Sequence, residues 1–467
     1  MTFDVVIIGT GSAGFAAAEA ARERGASVCV VERDKLGGEC PNWACVPTKA
    51  LLKAARVYRA AKRAADFGVI VRRVEFNFPQ VMAYKDRVVA AITGGGETGK
   101  RYEELLAALD LSLVRGSAQF IDKQTIAVKG KDGSVQEITS KTFVIATGTS
   151  DFVPPVSGLV EAKFLTFKDA VSLKKLPASI VIIGGGPVGC EFATFFASFG
   201  VSTTIIQHAD VVLPREDREI AELAGRALEA MGVTVLVGAN ISSVGTVGKL
   251  KEITVGGQTL QAEAILLAAG KRANVEGLNL DAVQVKLDKQ GSVITDDRAA
   301  TNVAHIFAAG DVDGGLQFTH TAHYEGTVAG TNAALKALGK IKGALTRDLS
   351  VVPRVTFVEP EVASVGITSE EAKKAFGSAY VGRFPLSALG RSVTDSSAQG
   401  RVKLIAHPKT GVIVGGFIQG HSAGEMIHEV ALAMRMQATL FDLADMIHAF
   451  PTFSEAITGA ASTVEVI

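Results

Sequence analysis

The chain has 467 residues with 48 basic and 48 acidic side chains, a balance that gives no electrostatic reason to expect nucleic acid or an acidic membrane surface as partner. Hydrophobic residues make up 48% of the chain, enough for several large cores, yet no apolar run reaches the about 20 residues that span a bilayer. With four cysteines and no charged-then-apolar signal segment before the first apolar run, we expect a reducing, cytoplasmic location.

The chain begins with a pattern typical of a dinucleotide-binding unit. An apolar run at residues 3–8 predicts a buried strand, a glycine-rich turn follows, and residues 15–24 have helical character. Glycines let the backbone turn tightly and approach a pyrophosphate at the helix N-terminus. A second predicted strand ends at Glu32, where a carboxylate would bind a ribose hydroxyl. The glycines of this turn are Gly9, Gly11 and Gly14.

Two closely spaced cysteines, Cys40 and Cys45, interrupt this first unit. Their spacing allows a short disulfide loop, and Pro47 suits the first turn of a helix that begins near Cys45. A thiol at a helix N-terminus is acidified, so Cys45 should be the more thiolate-like of the two. We interpret the pair as redox-active. A structural disulfide, a half zinc site and two unrelated core thiols are the alternatives, although no nearby Cys or His completes a zinc site, so no metal is predicted.

The dinucleotide pattern recurs in the middle of the chain. A predicted strand at residues 179–183 leads into a second glycine turn, a helix and a strand at residues 202–206. Glu32 lies 23 positions after Gly9, and Gln207 lies 23 positions after Gly184, which places a neutral amide at the second ribose. A carboxylate there would repel a 2′-phosphate, so Gln207 favours NADPH over NADH, with His208 and Arg215 close enough in sequence to meet the phosphate. The glycines of this turn are Gly184, Gly186 and Gly189.

Two dinucleotide folds in one chain suggest a flavin and a nicotinamide, with the cysteine pair as the next electron carrier. Because the cysteines interrupt the first unit, FAD is expected there and NAD(P)H in the second unit. The other two cysteines, Cys29 and Cys190, lie in apolar stretches and are interpreted as core residues.

These elements resemble one family over nearly the whole chain, the FAD-dependent pyridine nucleotide–disulfide oxidoreductases, the group of dihydrolipoamide dehydrogenase, glutathione reductase and mercuric reductase. The resemblance implies an α/β fold with two Rossmann-like dinucleotide-binding domains and an α+β C-terminal dimerisation domain. The motifs that carry it are Cys-x-Asn-x-x-Cys-x-Pro-x-Lys at 40–49, Thr-Phe-Val-Ile-Ala-Thr-Gly at 142–148, Gly-Cys-Glu at 189–191, Ala-Gly-Lys-Arg-Ala-Asn at 269–274 and Ile-Phe-Ala-Ala-Gly-Asp at 306–311.

The resemblance also implies roles for individual residues. Lys49 and Glu191 should form an ion pair beside the reactive end of the flavin, where a cation stabilises the reduced, anionic ring. Asp311 should bind the ribitol of FAD, and the segment 318–322 should pass beneath the flavin ring. Gly270 is assigned to the NAD(P) site. The further FAD contacts expected on this basis are Gly38, Thr147, Gly148, Gly310, His320, Thr321 and Ala322.

On the same basis we expect four segments. Residues 1–150 form the first part of the FAD-binding domain, 151–272 the NAD(P)-binding domain, 273–345 the returning part of the FAD-binding domain, and 346–467 the dimerisation domain. A homodimer is implied in which the C-terminus of each subunit completes the active site of the other.

The C-terminal motif departs from the family. Dihydrolipoamide dehydrogenase and glutathione reductase have His-Pro-Thr-x-x-Glu there, and the histidine is the acid/base for the thiols. In this chain Phe450 occupies the histidine position and cannot move a proton, whereas Glu455 matches the motif's glutamate and is kept in the predicted catalytic set. His448 is a weak candidate for a substitute, because it should point the same way as Phe450 but lie about 6.5–7 Å along an extended chain.

The function predicted is therefore electron transfer from NADPH, or NADH, through FAD to Cys40 and Cys45 and on to a small acceptor such as a metal ion, a quinone or another electrophile. Mercuric reductase resembles this chain in lacking the histidine, but it also uses a C-terminal cysteine pair, and no cysteine follows Cys190 here. One alternative is a dihydrolipoamide dehydrogenase with another proton carrier. An alternative of a different class is a redox-sensing flavoprotein without turnover.

Overall fold

The structure is a computed structural model that describes residues 1–340 and 342–467. The chain divides into two compact units. The first unit contains Met1–Ala50, Met82–Phe152 and Gly270–Leu349, and the second contains Leu51–Val81, Val153–Ala269 and Ser350–Ile467. The helices Cys45–Lys62 and Phe78–Thr93 each run from one unit into the other along the chain. Among the described residues, no helix is both long enough and apolar enough to cross a membrane.

The first unit is built on a seven-stranded sheet. Thr2–Ile8 lies inside it and pairs in parallel with Val28–Glu32 on one side and Val135–Ile145 on the other. Val5 to Ile8 are buried, as expected for a continuous apolar run in a parallel sheet covered on both faces. The other strands of this sheet are Ser112–Arg115, Ser117–Asp122, Thr125–Lys129 and Ile306–Ala308, and a separate antiparallel pair is formed by Thr149–Asp151 and Lys271–Ala273.

Two helices of the first unit pack closely on each other, Ser12–Glu23 after the first glycine turn and Thr319–Ala337 late in the unit. A Cβ on Gly326 would lie 2.2 Å from the Ala13 carbonyl oxygen, so only glycine allows the two backbones to approach this far. This contact places the N-terminal end of the second helix beside the glycine turn. The remaining helical segments are Glu39–Asn42, Lys100–Ala108, Leu280–Val283 and the 3₁₀ turn Asp311–Asp313.

The second unit contains the second dinucleotide pattern. Its parallel sheet has the order Thr234–Leu236, Ser202–Ile206, Ser179–Ile183, Ala264–Leu267, and the helix Pro187–Ser198 follows the glycine turn. The predicted strands 179–183 and 202–206 are confirmed. An antiparallel sheet of Ile241–Val247, Leu250–Val255 and Gln258–Ala262 belongs to the same part of the chain. Its other helices are Leu159–Ala162, Phe167–Ala170 and Arg218–Ala230.

The C-terminal part of the second unit is a six-stranded antiparallel sheet with the order Arg354–Thr356, Glu361–Gly366, Ile413–Gly420, Arg401–Ala406, Tyr380–Pro385, Val464–Val466. A buried ion pair, Lys403 to Asp217 at 2.6 Å, ties this sheet to the N-terminus of the helix Arg218–Ala230. The other helices of the second unit are Ser369–Phe376, Gly390–Thr394, Ala423–Arg435, Leu440–Asp445 and Glu455–Ser462, with 3₁₀ turns at Ala64–Phe67 and Leu386–Ala388.

The predicted fold class is confirmed. Each glycine turn joins a buried parallel strand to a helix, and a mixed α/β C-terminal part follows. The four predicted domain segments, with boundaries after residues 150, 272 and 345, stay a prediction.

Candidate active site

The two cysteines lie at either end of a short connection between two helices. Cys40 is in the one-turn helix Glu39–Asn42, and Cys45 is the first residue of the helix Cys45–Lys62. The Asn42 side-chain amide donates hydrogen bonds to the carbonyl oxygens of Leu36 and Gly38, both at 2.9 Å. These bonds fix the loop that precedes Cys40. Both cysteines are in the thiol form and partly exposed.

The two thiols are close enough to affect each other's protonation. The pKa of Cys40 is raised, first by a hydrogen bond with the Cys45 sulfur, then by burial and by the charge on Cys45. The Thr319 hydroxyl and the Lys49 ammonium group act in the opposite direction. The site therefore favours the protonated form of Cys40. The expectation that Cys45 is the more thiolate-like thiol stays a prediction.

The first glycine turn has the geometry of an anion site. A Cβ on Gly14 would lie 2.0 Å from the Gly9 carbonyl oxygen, so glycine is required where the helix meets the turn, whereas a Cβ on Gly11 would meet no described atom within 4 Å. Glu32 is 8% exposed, and its Oε2 accepts hydrogen bonds from the Thr10 amide at 2.9 Å and the Thr10 hydroxyl at 2.6 Å. The carboxylate therefore also holds the turn in shape.

The second glycine turn repeats this arrangement. A Cβ on Gly189 would lie 2.0 Å from the Gly184 carbonyl oxygen, and a Cβ on Gly186 would meet no described atom within 4 Å. The amide of Gly185 donates to Oε1 of Gln207 at 2.9 Å, as the Thr10 amide does to Glu32 in the first turn. The predicted equivalence of positions 32 and 207 is thus reproduced in three dimensions, with a carboxylate in one turn and an amide in the other.

The residues predicted to meet a 2′-phosphate are both exposed. His208 directly follows Gln207, and its Nδ1 lies 2.6 Å from the Asn240 side-chain oxygen. Arg215 lies further along the same connection, and its carbonyl oxygen accepts a hydrogen bond from Arg354 at 3.1 Å. The segment that follows the second glycine turn, from Gln207 to Arg215, therefore includes neutral and basic side chains where a 2′-phosphate is predicted.

Two of the family motifs meet in the first unit. The Thr147 hydroxyl donates to the Asn274 carbonyl oxygen at 2.8 Å, and the Asn274 side-chain amide donates to the Thr147 carbonyl oxygen at 3.0 Å. The Asn274 backbone amide donates to Gly148 at 2.9 Å, and Gly270 lies just before the same stretch. The assigned NAD(P) contact Gly270 is therefore built into the unit that contains the first glycine turn.

Asp311 is mostly buried in a cluster of charges. Burial raises its pKa first, the nearby Glu39 carboxylate raises it further, and the Thr149 hydroxyl at 3.3 Å lowers it. Lys271 balances the cluster, because its ammonium group lies 3.0 Å from Asp151 and 3.4 Å from Glu39. The carboxylate is therefore held by a network that includes residues of two family motifs, 269–274 and 306–311.

A second buried network, which the sequence analysis did not identify, lies behind Asp311. The amide of Gly310 donates to Glu325 Oε2 at 3.1 Å, and Arg347 contacts both Glu325 at 3.1 Å and Asp313 at 2.6 Å. Burial and the charge on Asp313 raise the pKa of Glu325 to about 7, against the opposing effects of Arg347 and the Gly310 amide. The network fixes the turn that carries Asp311.

The segment 318–322 forms the start of the helix Thr319–Ala337. The His320 ring is stacked on Phe318, with ring centroids 5.4 Å apart and an angle of 10° between the planes. Ala322 is buried, and the Thr321 hydroxyl is buried with no hydrogen-bond partner among the described residues. A buried hydroxyl of this kind usually has a partner, so it points to a bound polar group. Together with the open glycine turn, it fits a flavin dinucleotide.

Lys49 and Glu191 are placed in different units, and the ion pair between them stays a prediction. Lys49 lies in the first turns of the helix Cys45–Lys62. The pKa of Cys40 is raised most by the Cys45 sulfur, and the charge on Lys49 lowers it. Glu191 is 4% exposed and accepts a hydrogen bond from the Phe357 amide at 3.0 Å.

The C-terminal motif has an exposed phenylalanine at the position where the resemblance to dihydrolipoamide dehydrogenase and glutathione reductase predicted a histidine. Phe450 is 79% exposed. The His448 side chain is only 6% exposed, with Nε2 at 2.8 Å from Glu429 Oε1 and Nδ1 at 2.7 Å from the Thr458 hydroxyl. Glu455 accepts a hydrogen bond from the Thr452 amide at 2.8 Å, which caps its own segment.

The expectation that His448 and Phe450 point the same way stays a prediction. Their environments differ, because the His448 side chain is 6% exposed and Phe450 is 79% exposed. Both ring nitrogens of His448 are held by neighbours in the second unit, which favours the packing role over that of a replacement base.

Thr319 was not predicted from the sequence as a site residue, although it lies in the segment 318–322 that is expected to pass beneath the flavin ring. Its hydroxyl oxygen lies 3.4 Å from the Cys45 sulfur, and its carbonyl oxygen accepts a hydrogen bond from the Ser12 hydroxyl at 2.9 Å. The two contacting residues are 274 positions apart, so no local pattern could reveal the contact.

Comparisons with known proteins agree with this picture. The profile of the family described as pyridine nucleotide-disulphide oxidoreductase matches residues 3–326, and the profile of that family's dimerisation domain matches residues 352–461. The dimerisation domain indicates a homodimer, as in the family.

Curated relatives span almost the whole chain. A dihydrolipoyl dehydrogenase of Chlorobaculum tepidum is 37% identical over 98% of this chain and 96% of its own length. A mercuric reductase of Staphylococcus aureus is 34% identical over 99% of this chain and 82% of its own length.

Solved structures with the same fold are also similar to this chain. The Cu(II) complex of the HOCl-induced flavoprotein disulfide reductase RclA from Escherichia coli has a TM-score of 0.86 and 27% identity over 99% of each chain. LpdA from Mycobacterium tuberculosis also has a TM-score of 0.86 and 27% identity, covering 98% of this chain and 99% of its own.

Proposed function

The chain belongs to the pyridine nucleotide–disulphide oxidoreductase family, whose members bind FAD and use pyridine nucleotides, and from that premise we propose that it reduces a small acceptor through Cys40 and Cys45. The acceptor favoured is a thiophilic metal ion such as Cu(II) or Hg(II), with a quinone or another small electrophile as the next candidates. One observation carries this proposal: an exposed phenylalanine, Phe450, stands at the position where dihydrolipoamide dehydrogenase and glutathione reductase have their acid/base histidine.

The absence of that histidine matters because the two kinds of acceptor differ in their need for protons. A dithiol or disulfide acceptor requires a proton to be taken from, or given to, a departing thiol at each exchange step. A metal ion that accepts electrons from sulfur needs no proton delivered to it. Phe450 therefore disfavours lipoamide and glutathione disulfide more than it disfavours a metal ion.

The chain's own residues would act as follows. When bound, FAD supplies the two-electron transfer between a nicotinamide and a disulfide. Two electrons and one proton from solvent convert the disulfide to a thiol and a thiolate, with negative charge on Cys45 and the proton on Cys40, whose raised pKa favours the protonated form because of the Cys45 sulfur and burial. Cys40 then faces the acceptor. Re-forming the disulfide returns the Cys40 proton to solvent and releases two electrons, which suffice for two Cu(II) ions or one Hg(II) ion.

The supporting residues are assigned by the same proposal. Lys49 and Glu191 would pair beside the reactive end of the flavin, and Asp311 would bind its ribitol. Glu32 would bind the ribose of FAD. The glycine turns at Gly9–Gly14 and Gly184–Gly189 would hold the two pyrophosphates.

Two relatives support the choice of acceptor. Mercuric reductase is among the curated proteins similar to this chain, and the solved structures with the same fold include a Cu(II) complex of a flavoprotein disulfide reductase. Soft ions of this kind are suited to thiolate sulfur.

NADPH is the proposed electron donor. The Gln207 side chain replaces the carboxylate that would repel a 2′-phosphate, and exposed His208 and Arg215 lie close in sequence. We also propose a cytoplasmic location, where NADPH and a reducing environment are available, and a shared active site to which the partner subunit contributes its C-terminal segment.

A dihydrolipoamide dehydrogenase that uses His448 as proton carrier is the second candidate. The observation in its favour is the His448–Glu429 contact at 2.8 Å, since a carboxylate partner is what an acid/base histidine needs. The redox-sensing flavoprotein remains the candidate of another class.

The test is steady-state NADPH oxidation with Cu(II), Hg(II), a quinone, lipoamide and glutathione disulfide as acceptors. We expect the metal ions to be reduced fastest, and Cys40→Ser and Cys45→Ser to abolish that activity. Cys29→Ala is the matched control, because it removes a buried thiol whose pKa burial raises to about 12, and it should keep the activity. Rapid lipoamide reduction by the wild type favours the second candidate, and no turnover with any acceptor favours the sensor.

A further inference from the structure

One hydroxyl group lies against the sulfur pair from a distant part of the chain. Thr319 is the first residue of the helix Thr319–Ala337, and its Oγ1 lies 3.4 Å from the sulfur of Cys45. The same hydroxyl lowers the pKa of Cys40 through a hydrogen bond, against the larger rise caused by the Cys45 sulfur. A single side chain thus contacts both reacting atoms.

The position of this hydroxyl is fixed by the fold. The Thr319 carbonyl oxygen accepts a hydrogen bond from the Ser12 hydroxyl at 2.9 Å. Further along the helix, Gly326 and Gly330 pack so closely on the helix Ser12–Glu23 that a Cβ on either would lie 2.2 or 2.1 Å from a carbonyl oxygen. The helix cannot shift toward or away from the cysteines without losing this packing, so Oγ1 stays near the sulfurs.

Two helix N-termini also meet at Cys45. Its own helix, Cys45–Lys62, begins at the residue itself, and the helix Thr319–Ala337 begins at the contacting threonine. The positive end of each helix dipole favours negative charge at this point. The Thr319 hydroxyl adds a donor whose proton can turn toward whichever sulfur carries the charge.

We propose that Thr319 is a catalytic residue that sets the reduction midpoint of the Cys40–Cys45 pair. Its hydroxyl does so by donating a hydrogen bond to the reduced sulfurs. The inference rests on the proposed role of the two cysteines as the redox pair. Reduction of the disulfide breaks one sulfur–sulfur bond with two electrons and takes up one proton from solvent, which leaves one thiol and one thiolate. The hydroxyl stabilises the thiolate through a hydrogen bond and does not itself gain or lose a proton. This donor comes from the same subunit as the cysteines and does not depend on position 450.

The other groups around the pair do not replace this hydroxyl. Lys49 also stabilises charge on Cys40, but it acts through space and lowers its pKa less than the Thr319 hydrogen bond does. Tyr102 has its own pKa raised, by burial first and then by the charge on Cys40, so it remains a neutral phenol. The neighbours in sequence are Glu39 beside Cys40 and His320 beside Thr319.

The experiment measures the disulfide poise directly in the purified holoenzyme. The protein is equilibrated at pH 7 in dithiothreitol buffers of graded oxidised-to-reduced ratio, quenched with acid, alkylated, and analysed by mass for the Cys40 and Cys45 peptides. Because thiols are counted, the readout does not depend on turnover or on the acceptor. Thr319→Val removes the hydroxyl at nearly constant size, and Thr319→Ser keeps it.

We expect Thr319→Val to shift the midpoint of reduction about tenfold toward the disulfide, which corresponds to about 30 mV for a two-electron couple. Thr319→Ser should lie within about twofold of wild type, as expected for retention of one charge-assisted hydrogen bond. Thr327→Val is the matched control, since its hydroxyl donates to the His323 carbonyl oxygen at 3.1 Å in the same helix, and it should leave the midpoint unchanged.

The outcomes separate the two proposals. If Thr319→Val has the same midpoint of reduction as the wild type, the role of Thr319 is overturned. The cysteine pair remains the redox centre in that case. A wild-type protein in which no dithiothreitol ratio produces a Cys40–Cys45 disulfide overturns both the proposed function and the inference that rests on it.

Discussion

The substitution Phe450→His would restore the side chain that the family uses to move protons at the thiols. Phe450 is 79% exposed, and its ring lies over Gly390, where a Cβ would come 3.7 Å from the ring. Within one subunit only about a fifth of the side chain is removed from water, and since full burial of phenylalanine is worth about 1.5–3 kcal/mol, the substitution should cost the fold of the subunit roughly 0.3–0.6 kcal/mol. The variant should fold normally.

The effect on activity should be much larger than the effect on stability. A positioned acid/base group contributes about 10²–10⁴-fold to a proton-transfer step, and a histidine introduced without an optimised setting should recover at least about tenfold. We expect this gain with dihydrolipoamide and lipoamide, and a change of less than about twofold with Cu(II), because that acceptor needs no proton. Oxidation of dihydrolipoamide by the variant should rise with pH through about 6.5, as the new imidazole loses its proton.

The assay is steady-state turnover with dihydrolipoamide and NAD⁺ or NADP⁺ across pH 5.5 to 8.5. Ile447→His is the matched control, because position 447 is 95% exposed in the same segment but is not the motif's histidine position. The reasoning is refuted if the wild type already oxidises dihydrolipoamide at a rate ordinary for an enzyme, about 10 s⁻¹ or more, and Phe450→His adds nothing.

Three further predictions concern the cofactor choice and the two buried networks. Gln207→Glu should shift the kcat/KM ratio toward NADH, and an unchanged ratio would remove position 207 from the ribose site. Burial raises the pKa of Glu325 to about 7, above its ordinary value near 4.5. As pH rises from about 4.5 to 7, the wild type should therefore lose roughly 2–3 kcal/mol of stability relative to Glu325→Gln. A constant difference in thermal midpoint across that range would contradict this. Lys403→Met leaves the carboxylate of Asp217, which is 1% exposed, without its ammonium partner and should cost about 3–5 kcal/mol in denaturant unfolding. The control is Lys141→Met, which breaks the more exposed pair with Asp4 and should cost less than about 1 kcal/mol.

The two dinucleotide-binding units could be predicted from sequence because they depend on local rules. A buried strand, a glycine turn and a helix follow one another within about 30 residues. The close approach of the backbone in each turn requires glycine, and these glycines can be read directly from the sequence. The spacing from Gly9 to Glu32 and from Gly184 to Gln207 was visible for the same reason, and the structure shows both side chains accepting a bond from the turn.

The details of the active site could not be predicted because they depend on contacts between distant segments. Thr319 meets Cys45 across 274 positions, and Arg347 joins Asp313 and Glu325 from a separate loop. The environment of His448 is set by Glu429 on one helix and Thr458 on another, so the alternation of an extended strand could not reveal these two contacts.

The most direct test of the account is a single-turnover measurement on enzyme reduced anaerobically with NADPH. The reduced protein is mixed with an excess of Cu(II) or lipoamide, with Cu(II) at twice the lipoamide concentration because it accepts one electron and lipoamide two, and the disappearance of the Cys40 and Cys45 thiols is followed over time by quenching and alkylation. The account predicts that Cu(II) oxidises the pair at least about 100-fold faster than lipoamide, in line with the missing acid/base group. Equal rates for the two acceptors, or faster oxidation by lipoamide, would contradict it.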